Sequence, residues 1–332
     1  MYDVITVGSN TLDVFAYTDK SESICIRTIE GQDCYISYPS GSKLLINELD
    51  FDTGGGGTNT AVSLARMGLS VGYIGKLGSD NSAGLVLEEL KKENIDFLGA
   101  KGPSGSKTGY SIILDSIEKN RTILSFKGAN NSLRFDEIDV FRLKTRWFYL
   151  CSMVGESFNT LNRLADFAKS NDIDILFNPS NYLAEKGKKF LSKILNQAKI
   201  LILNKQEAQY LAGKGRAVDL LKSLKDLGPG IVVITDGPNP VHCLDQEGCY
   251  YILFPQDIKV AEATGAGDSF GSSFLAAHIK GRNTKESLSI ALANSQSVLQ
   301  HKGAKKKLLG LKEAEAFVAE NPPKVERQPI NG

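Results

Sequence analysis

The chain has 332 residues, 42% of them hydrophobic, with 39 basic against 38 acidic side chains. This is ordinary globular usage at near-zero net charge. Disordered, collagen-like and coiled-coil readings are unsupported, and no overall field draws the protein to nucleic acid or an acidic membrane. Glycine is the one excess, at 32 residues against a background of about 7%.

The start, Met1-Tyr2-Asp3-Val4, has no basic leader, and no run approaches the ~18 apolar residues of a membrane span, so a soluble, untargeted, cytoplasmic protein is expected. Five cysteines, Cys25, Cys34, Cys151, Cys243 and Cys249, include no CxxC pair, and the three histidines are scattered. Neither a disulfide framework nor a zinc site follows, and reduced thiols are expected.

In chain order, short β-branched or apolar runs recur at Val4 to Val7, Val71 to Ile74, Trp147 to Leu150, Ile173 to Phe177, Ile200 to Leu203 and Ile231 to Thr235. Between them lie segments of helical spacing, such as Ala61, Leu64, Ala65 and Gly68, or Leu161, Leu164 and Phe167. Strands alternating with helices predict an α/β fold with a mostly parallel sheet covered on both faces. Two regions break the rhythm, 14–50 and 105–127, where Thr, Tyr, Ile and Ser mix with charges. They predict a small separate sheet, either a lid or a plain edge hairpin. The core is then 1–13, 51–104 and 128–320, and 321–332, with Pro322-Pro323 and Pro329, reads as a frayed tail.

The glycines cluster twice. Gly54-Gly55-Gly56-Gly57-Thr58-Asn59 runs straight into the helical segment Thr60 to Met67. Bare backbone there admits a close ligand, and Asn59 can present an amide to hydroxyls or serve as an ordinary N-cap. Thr264-Gly265-Ala266-Gly267-Asp268 leads into a helix striped by Phe270, Phe274 and Ala277. Unpaired N–H groups at a helix start suit phosphate. Asp268 would repel a resting phosphate but makes sense as a base for a hydroxyl lying between them, or else as a simple cap. Gly8-Ser9-Asn10-Thr11-Leu12-Asp13 is not GxGxxG, and Gly105-Ser106-Lys107-Thr108 is not a P-loop.

These residues resemble the ribokinase-like, or PfkB-type, family of carbohydrate kinases. The likeness runs in order through Asp13, the GGGGTN loop, Gly75 to Asp80, Asn204-Lys205-Gln206-Glu207, Val232 to Gly237, and Thr264 to Asp268. It implies a central, mostly parallel sheet with helices on both faces and a β-sheet lid over the sugar. Asp13, Gly55, Gly56 and Asn59 would bind substrate hydroxyls. Asp268 would be the base, and Gly265, Ala266 and Gly267 the anion hole. Asn204 and Glu207 match the NxxE motif that orders Mg²⁺ and phosphates, with Glu207 reaching the metal through water; alone, Asn-x-x-Glu is a plain helix cap. Thr235, Gly237, Asn294 and Gly303 would border ATP. Lys305-Lys306-Lys307 could offset phosphate charge but reads first as a solvated basic run.

The chain departs from the family where Asp-Thr-Thr usually precedes the glycine loop. Here Glu262-Ala263-Thr264 stands, which argues against activation by K⁺. The expected protein is an ATP- and Mg²⁺-dependent kinase of a sugar, with a nucleoside kinase and a catalytically silent sugar-binding scaffold as alternatives. Lys43, Lys107, Arg121 and Lys127 are available for a sugar phosphate, and a homodimer through the lid is possible.

Overall fold

The computed structural model describes residues 1–18, 22–27, 32–115 and 121–329. Its main sheet has ten strands. In spatial order these are Val325–Pro329, Cys249–Leu253, Asn239–Leu244, Ile231–Asp236, Ile200–Asn204, Asp174–Asn178, Thr145–Cys151, Tyr2–Val7, Val71–Ile74 and Asp96–Phe97. From Ile231–Asp236 to Asp96–Phe97 every neighbouring pair is parallel, whereas the strands beyond Ile231–Asp236 pair antiparallel.

Side chains on the central strands alternate between two cores. Trp147, Tyr149 and Cys151 pack into one cluster with helices Gly56–Arg66 and Ala266–Ile279. Phe148 and Leu150 pack into the other with Glu156–Ser170 and Ala217–Lys225. Burial on both faces explains why these strands read as unbroken apolar runs.

The end of the chain corrects an expectation. Instead of fraying, Val325–Pro329 forms the edge strand, with Val325 opposite Leu253 and Pro329 opposite Cys249. A proline is tolerated there because an edge strand has unpaired positions where the missing N–H costs nothing.

The second sheet has the order Arg121–Phe126, Gly109–Asp115, Thr11–Tyr17 and Glu48–Gly54. It takes in Thr11 to Asp13, so Asp13 lies on the small sheet rather than in the core. The turn between its first two strands lies outside the described residues. One row across it, Leu124, Ile112, Val14 and Phe51, faces outward with Leu124, Ile112 and Phe51 exposed. The opposite face carries Asp13 and Ser111, both buried.

A further hairpin, Glu22–Arg27 with Gln32–Ser37, leaves this sheet. Cys25 and Cys34 are directly opposite in its ladder and form a disulfide. This corrects the expectation of five reduced thiols: cross-strand pairing joined two cysteines that no motif linked. Among the described residues, no helix is long and apolar enough to cross a membrane.

Candidate active site

The helix Gly56–Arg66 begins inside the first glycine run, with Gly55 as its N-cap at φ 99°. Asn59 is therefore not the cap but the fourth helical residue. Its Nδ2 donates to Asp268 Oδ2 at 2.8 Å, joining two loops 209 residues apart in sequence. The second helix, Ala266–Ile279, starts after Gly265 in the left-handed region at φ 79°. A Cβ on Gly265 would stand 2.6 Å from the Ala304 carbonyl oxygen, so only glycine fits there. Asp268 is the third residue of that helix and caps nothing. The first-turn N–H groups around it have no intrahelical acceptor and sit at the positive end of the helix dipole.

Protein packed around the Asp268 carboxyl pushes its pKa up to about 6; the charge of Asp13 adds to the rise, and the Asn59 hydrogen bond opposes it. Asp13 is 7% exposed and its pKa is also raised, by burial first and by Asp52. Hydrogen bonds from Thr11 and Ser111 and the charge of Lys305 pull the other way. Asp13 Oδ1, Asn59 Oδ1 and Thr264 Oγ1 are buried and have no hydrogen-bond partner among the described residues. Buried polar atoms are rarely left unpaired, so these oxygens suit a ligand that brings hydroxyl groups.

A cavity of about 330 Å³ opens at the carboxyl ends of the parallel strands, where open α/β sheets bind ligands. Gly56, Gly267 and Asp268 line it, together with Asn204, Glu207 and Thr235. Asn204 and Glu207 do form a helix capping box, at 2.9 and 2.8 Å, and they line the cavity as well. Burial pushes Glu207 up to about 7; hydrogen bonds with Asn204 oppose the shift, and the charge of Asp268 adds to it.

Several lining residues escaped the sequence reading, among them Asn131, Cys151, Asn178, Ser180 and Tyr182. Cys151 and Asn178 end their strands, and Ser180 and Tyr182 follow soon after. The rule that α/β ligands gather at strand carboxyl ends would have flagged them. Of the four basic residues singled out, Lys127 lines the cavity, whereas Lys43 and Lys107 are exposed and do not. The side chain of Arg121 lies outside the described residues.

Other expected nucleotide contacts are spent elsewhere. Asn294 is fully buried, donates to Ser273 Oγ at 2.7 Å and accepts from the Leu309 N–H at 2.9 Å. Gly237 turns the chain at φ 56° and is not among the lining residues. Gly303 donates its N–H to Glu262 Oε2 at 2.8 Å. Lys305 is no solvated charge: it is 4% exposed and donates to Glu89 Oε2 at 2.5 Å and to Thr53 Oγ1 at 2.6 Å. The stretch that follows Gly303 is thereby tied to the strand Glu48–Gly54 of the small sheet.

The family description "pfkB family carbohydrate kinase" matches residues 20–309. The chain belongs to that family. It is accordingly a phosphotransferase family member that acts on an alcohol group. An uncharacterized sugar kinase of Archaeoglobus fulgidus is 29% identical over 240 residues, 68% of this chain and 89% of that one. The ATP-dependent 6-phosphofructokinase of Thermoanaerobacterium thermosaccharolyticum is 23% identical over 91% of this chain and 89% of its own. Other matched relatives bear the names ribokinase, nucleoside kinase and 5-dehydro-2-deoxygluconokinase. Among solved structures, a putative ribokinase II of E. coli in complex with ATP and Mg²⁺ superimposes with a TM-score of 0.81, covering 97% of this chain and all of that one, at 16% identity. At that identity the likeness establishes the fold, a ribokinase-type sheet with a separate small sheet.

Proposed function

We propose that this member of the family transfers the γ-phosphoryl group of ATP to a hydroxyl of a sugar or sugar-like acceptor, with Asp268 as the base. One observation carries the reading. The Asn59–Asp268 hydrogen bond brings the Gly54–Gly57 loop and the start of the helix Ala266–Ile279 to a single point. An acceptor held by Asp13, Gly55, Gly56 and Asn59 gives its hydroxyl proton to Asp268 as its oxygen attacks the γ-phosphorus. The bond to the β–γ bridging oxygen breaks, and ADP leaves. The Gly265, Ala266 and Gly267 backbone steadies charge on the transferring group.

A pKa of about 6 leaves Asp268 ionised at neutral pH yet more basic than an ordinary carboxylate, which suits a general base. The oxygen-rich pair Asn204 and Glu207 fits a hard divalent cation, whose charge would favour the ionised form of a carboxyl that burial raises to about 7. When bound, Mg²⁺ offsets phosphate charge. Thr235 is assigned to the nucleotide side of the cavity, with Gly237 shaping the turn that follows it; Asn294 and Gly303 take only the structural contacts described above. Glu262 is engaged with Gly303, so no role for K⁺ is assigned.

The small sheet acts in this reading as a lid, its buried face meeting substrate through Asp13. Its exposed Phe51, Ile112, Leu124 and Phe126 support a homodimer formed lid to lid. A cytoplasmic location is proposed from the use of ATP.

Asp268→Asn tests the mechanism in an acceptor-dependent ADP-release assay. Turnover should fall by roughly 10²- to 10⁴-fold, the typical contribution of a general base, with the circular dichroism spectrum unchanged. A folded variant with near wild-type turnover would overturn the assignment.

A further inference from the structure

The phosphotransfer reading leaves one charged group of the cavity unused. Lys127 follows the lid strand Arg121–Phe126 and leads into the short turn Gly128–Asn131. That turn is pinned to the acceptor side of the site: Asn130 Nδ2 donates to the Asn10 carbonyl at 2.7 Å, and the Asn10 N–H donates to Asn130 Oδ1 at 3.0 Å. Asn10 begins the stretch that leads to Asp13. The Lys127 side chain is half-buried, and its ammonium lies 4.6 Å from the centroid of the Tyr182 ring. Among the described residues it makes no hydrogen bond or ion pair, and burial alone lowers its pKa. Ser180, two residues before Tyr182, also lines the cavity, and its buried Oγ lacks a partner among the described residues.

A half-buried ammonium without a counter-ion is unfavourable unless a ligand supplies the charge. Among the described residues no other basic side chain lines this cavity, and Lys127 sits against Tyr182, whereas Asp268 is bonded to Asn59 and Glu207 to the Asn204 N–H. The phosphates of ATP belong with the helix start beside Asp268, so they do not meet the need. We propose that Lys127, aided by Ser180, receives an oxyanion of the acceptor. The acceptor is then a sugar bearing a carboxylate or a phosphate, oriented with its anionic group at Lys127 and its reacting hydroxyl at Asp268. This rests on the phosphotransfer reading and narrows its substrate class.

The test compares wild type with Lys127→Met, which keeps the aliphatic stem, and Lys127→Arg, which keeps the charge. ADP release is measured with aldonic and keto-aldonic acids, hexose phosphates, neutral pentoses and hexoses, and nucleosides. Wild type should favour an anionic acceptor, with the acid and phosphate arms showing which oxyanion it takes. Lys127→Met should raise KM for that acceptor by about 10- to 100-fold, the worth of a charge-assisted hydrogen bond, leaving KM for ATP unchanged. Lys127→Arg should restore most of the preference. A neutral sugar or nucleoside as the best acceptor overturns the proposal, as does a Lys127→Met defect that appears in KM for ATP. Absence of acceptor-dependent ADP release across the whole panel overturns the phosphotransfer reading itself, and this assignment with it.

Discussion

The two glycine loops look alike in sequence and differ in what crowds them. In the first, the protein itself forbids side chains at three of the four glycines, Gly56 being the exception. A Cβ on Gly54 would lie 2.0 Å from Asp13 Oδ2, one on Gly55 2.6 Å from the Ser9 carbonyl oxygen, and one on Gly57 2.7 Å from the Gly8 backbone. In the second, Gly265 is crowded by Ala304, but a Cβ on Gly267 would meet nothing within 4 Å. The first loop is glycine-rich so that a helix can start against the strand carrying Asp13. Gly267 has no such neighbour, and it lines the cavity. Its bareness makes sense through what enters from outside, so the same residue type reflects packing at Gly54, Gly55, Gly57 and Gly265 and ligand approach at Gly267.

Gly267→Ala should break the comparison most visibly. Gly267 is helical and has no left-handed φ, so alanine fits the free protein and raises helix propensity by up to about 1 kcal/mol. The variant should melt at or above the wild-type temperature while kcat/KM falls by about 10²-fold, the scale of an ångström-sized displacement of reacting groups. Unchanged kinetics would show that nothing approaches this backbone.

How much of this was legible in the sequence follows from the same physics. The parallel strands were plain because burial on both faces makes them continuous apolar runs. The antiparallel extension was not: Asn239–Leu244 contains Pro240 and His242, and Val325–Pro329 holds three consecutive polar residues, Glu326, Arg327 and Gln328, at an edge. Both glycine loops and Asp268 were visible because local backbone demands leave local marks. Lys127, Asn178, Ser180 and Tyr182 were not placed, since separate strand ends bring them together and no local pattern records it. Lys305 was misread for a related reason. Its partners, Glu89 and Thr53, lie more than 200 residues away, and a run of three lysines gives no hint that one turns inward.

Gly55→Ala probes the other side of the comparison. Here the cost belongs to the free protein: φ is 99°, and the new methyl meets the Ser9 carbonyl. Unfolding in urea should show a loss of roughly 1–3 kcal/mol, the usual cost of a residue forced into a disallowed backbone region. Full stability with impaired turnover would make the two loops alike and remove the distinction.

The pH dependence tests whether the loops share one electrostatic site. Asp268 has a raised pKa, about 6 against 3.8 for an ordinary aspartate, so the folded protein holds its proton more tightly than the unfolded chain. Its contribution to stability is complete below 3.8 and is lost as pH rises through about 6. Asp268→Asn removes that penalty. The variant should therefore match wild type in stability near pH 4 and exceed it at pH 8, by up to about 3 kcal/mol for a shift of some two units. Activity runs the opposite way, because the base must be ionised: wild-type kcat/KM should fall as pH drops through 7 to 6, where Glu207 and then Asp268 take up protons. A stability difference between the two proteins that does not change with pH would mean that the Asp268 carboxyl is solvated like a surface group. The Asn59 contact would then be incidental, and the two loops would be neighbours without forming one site.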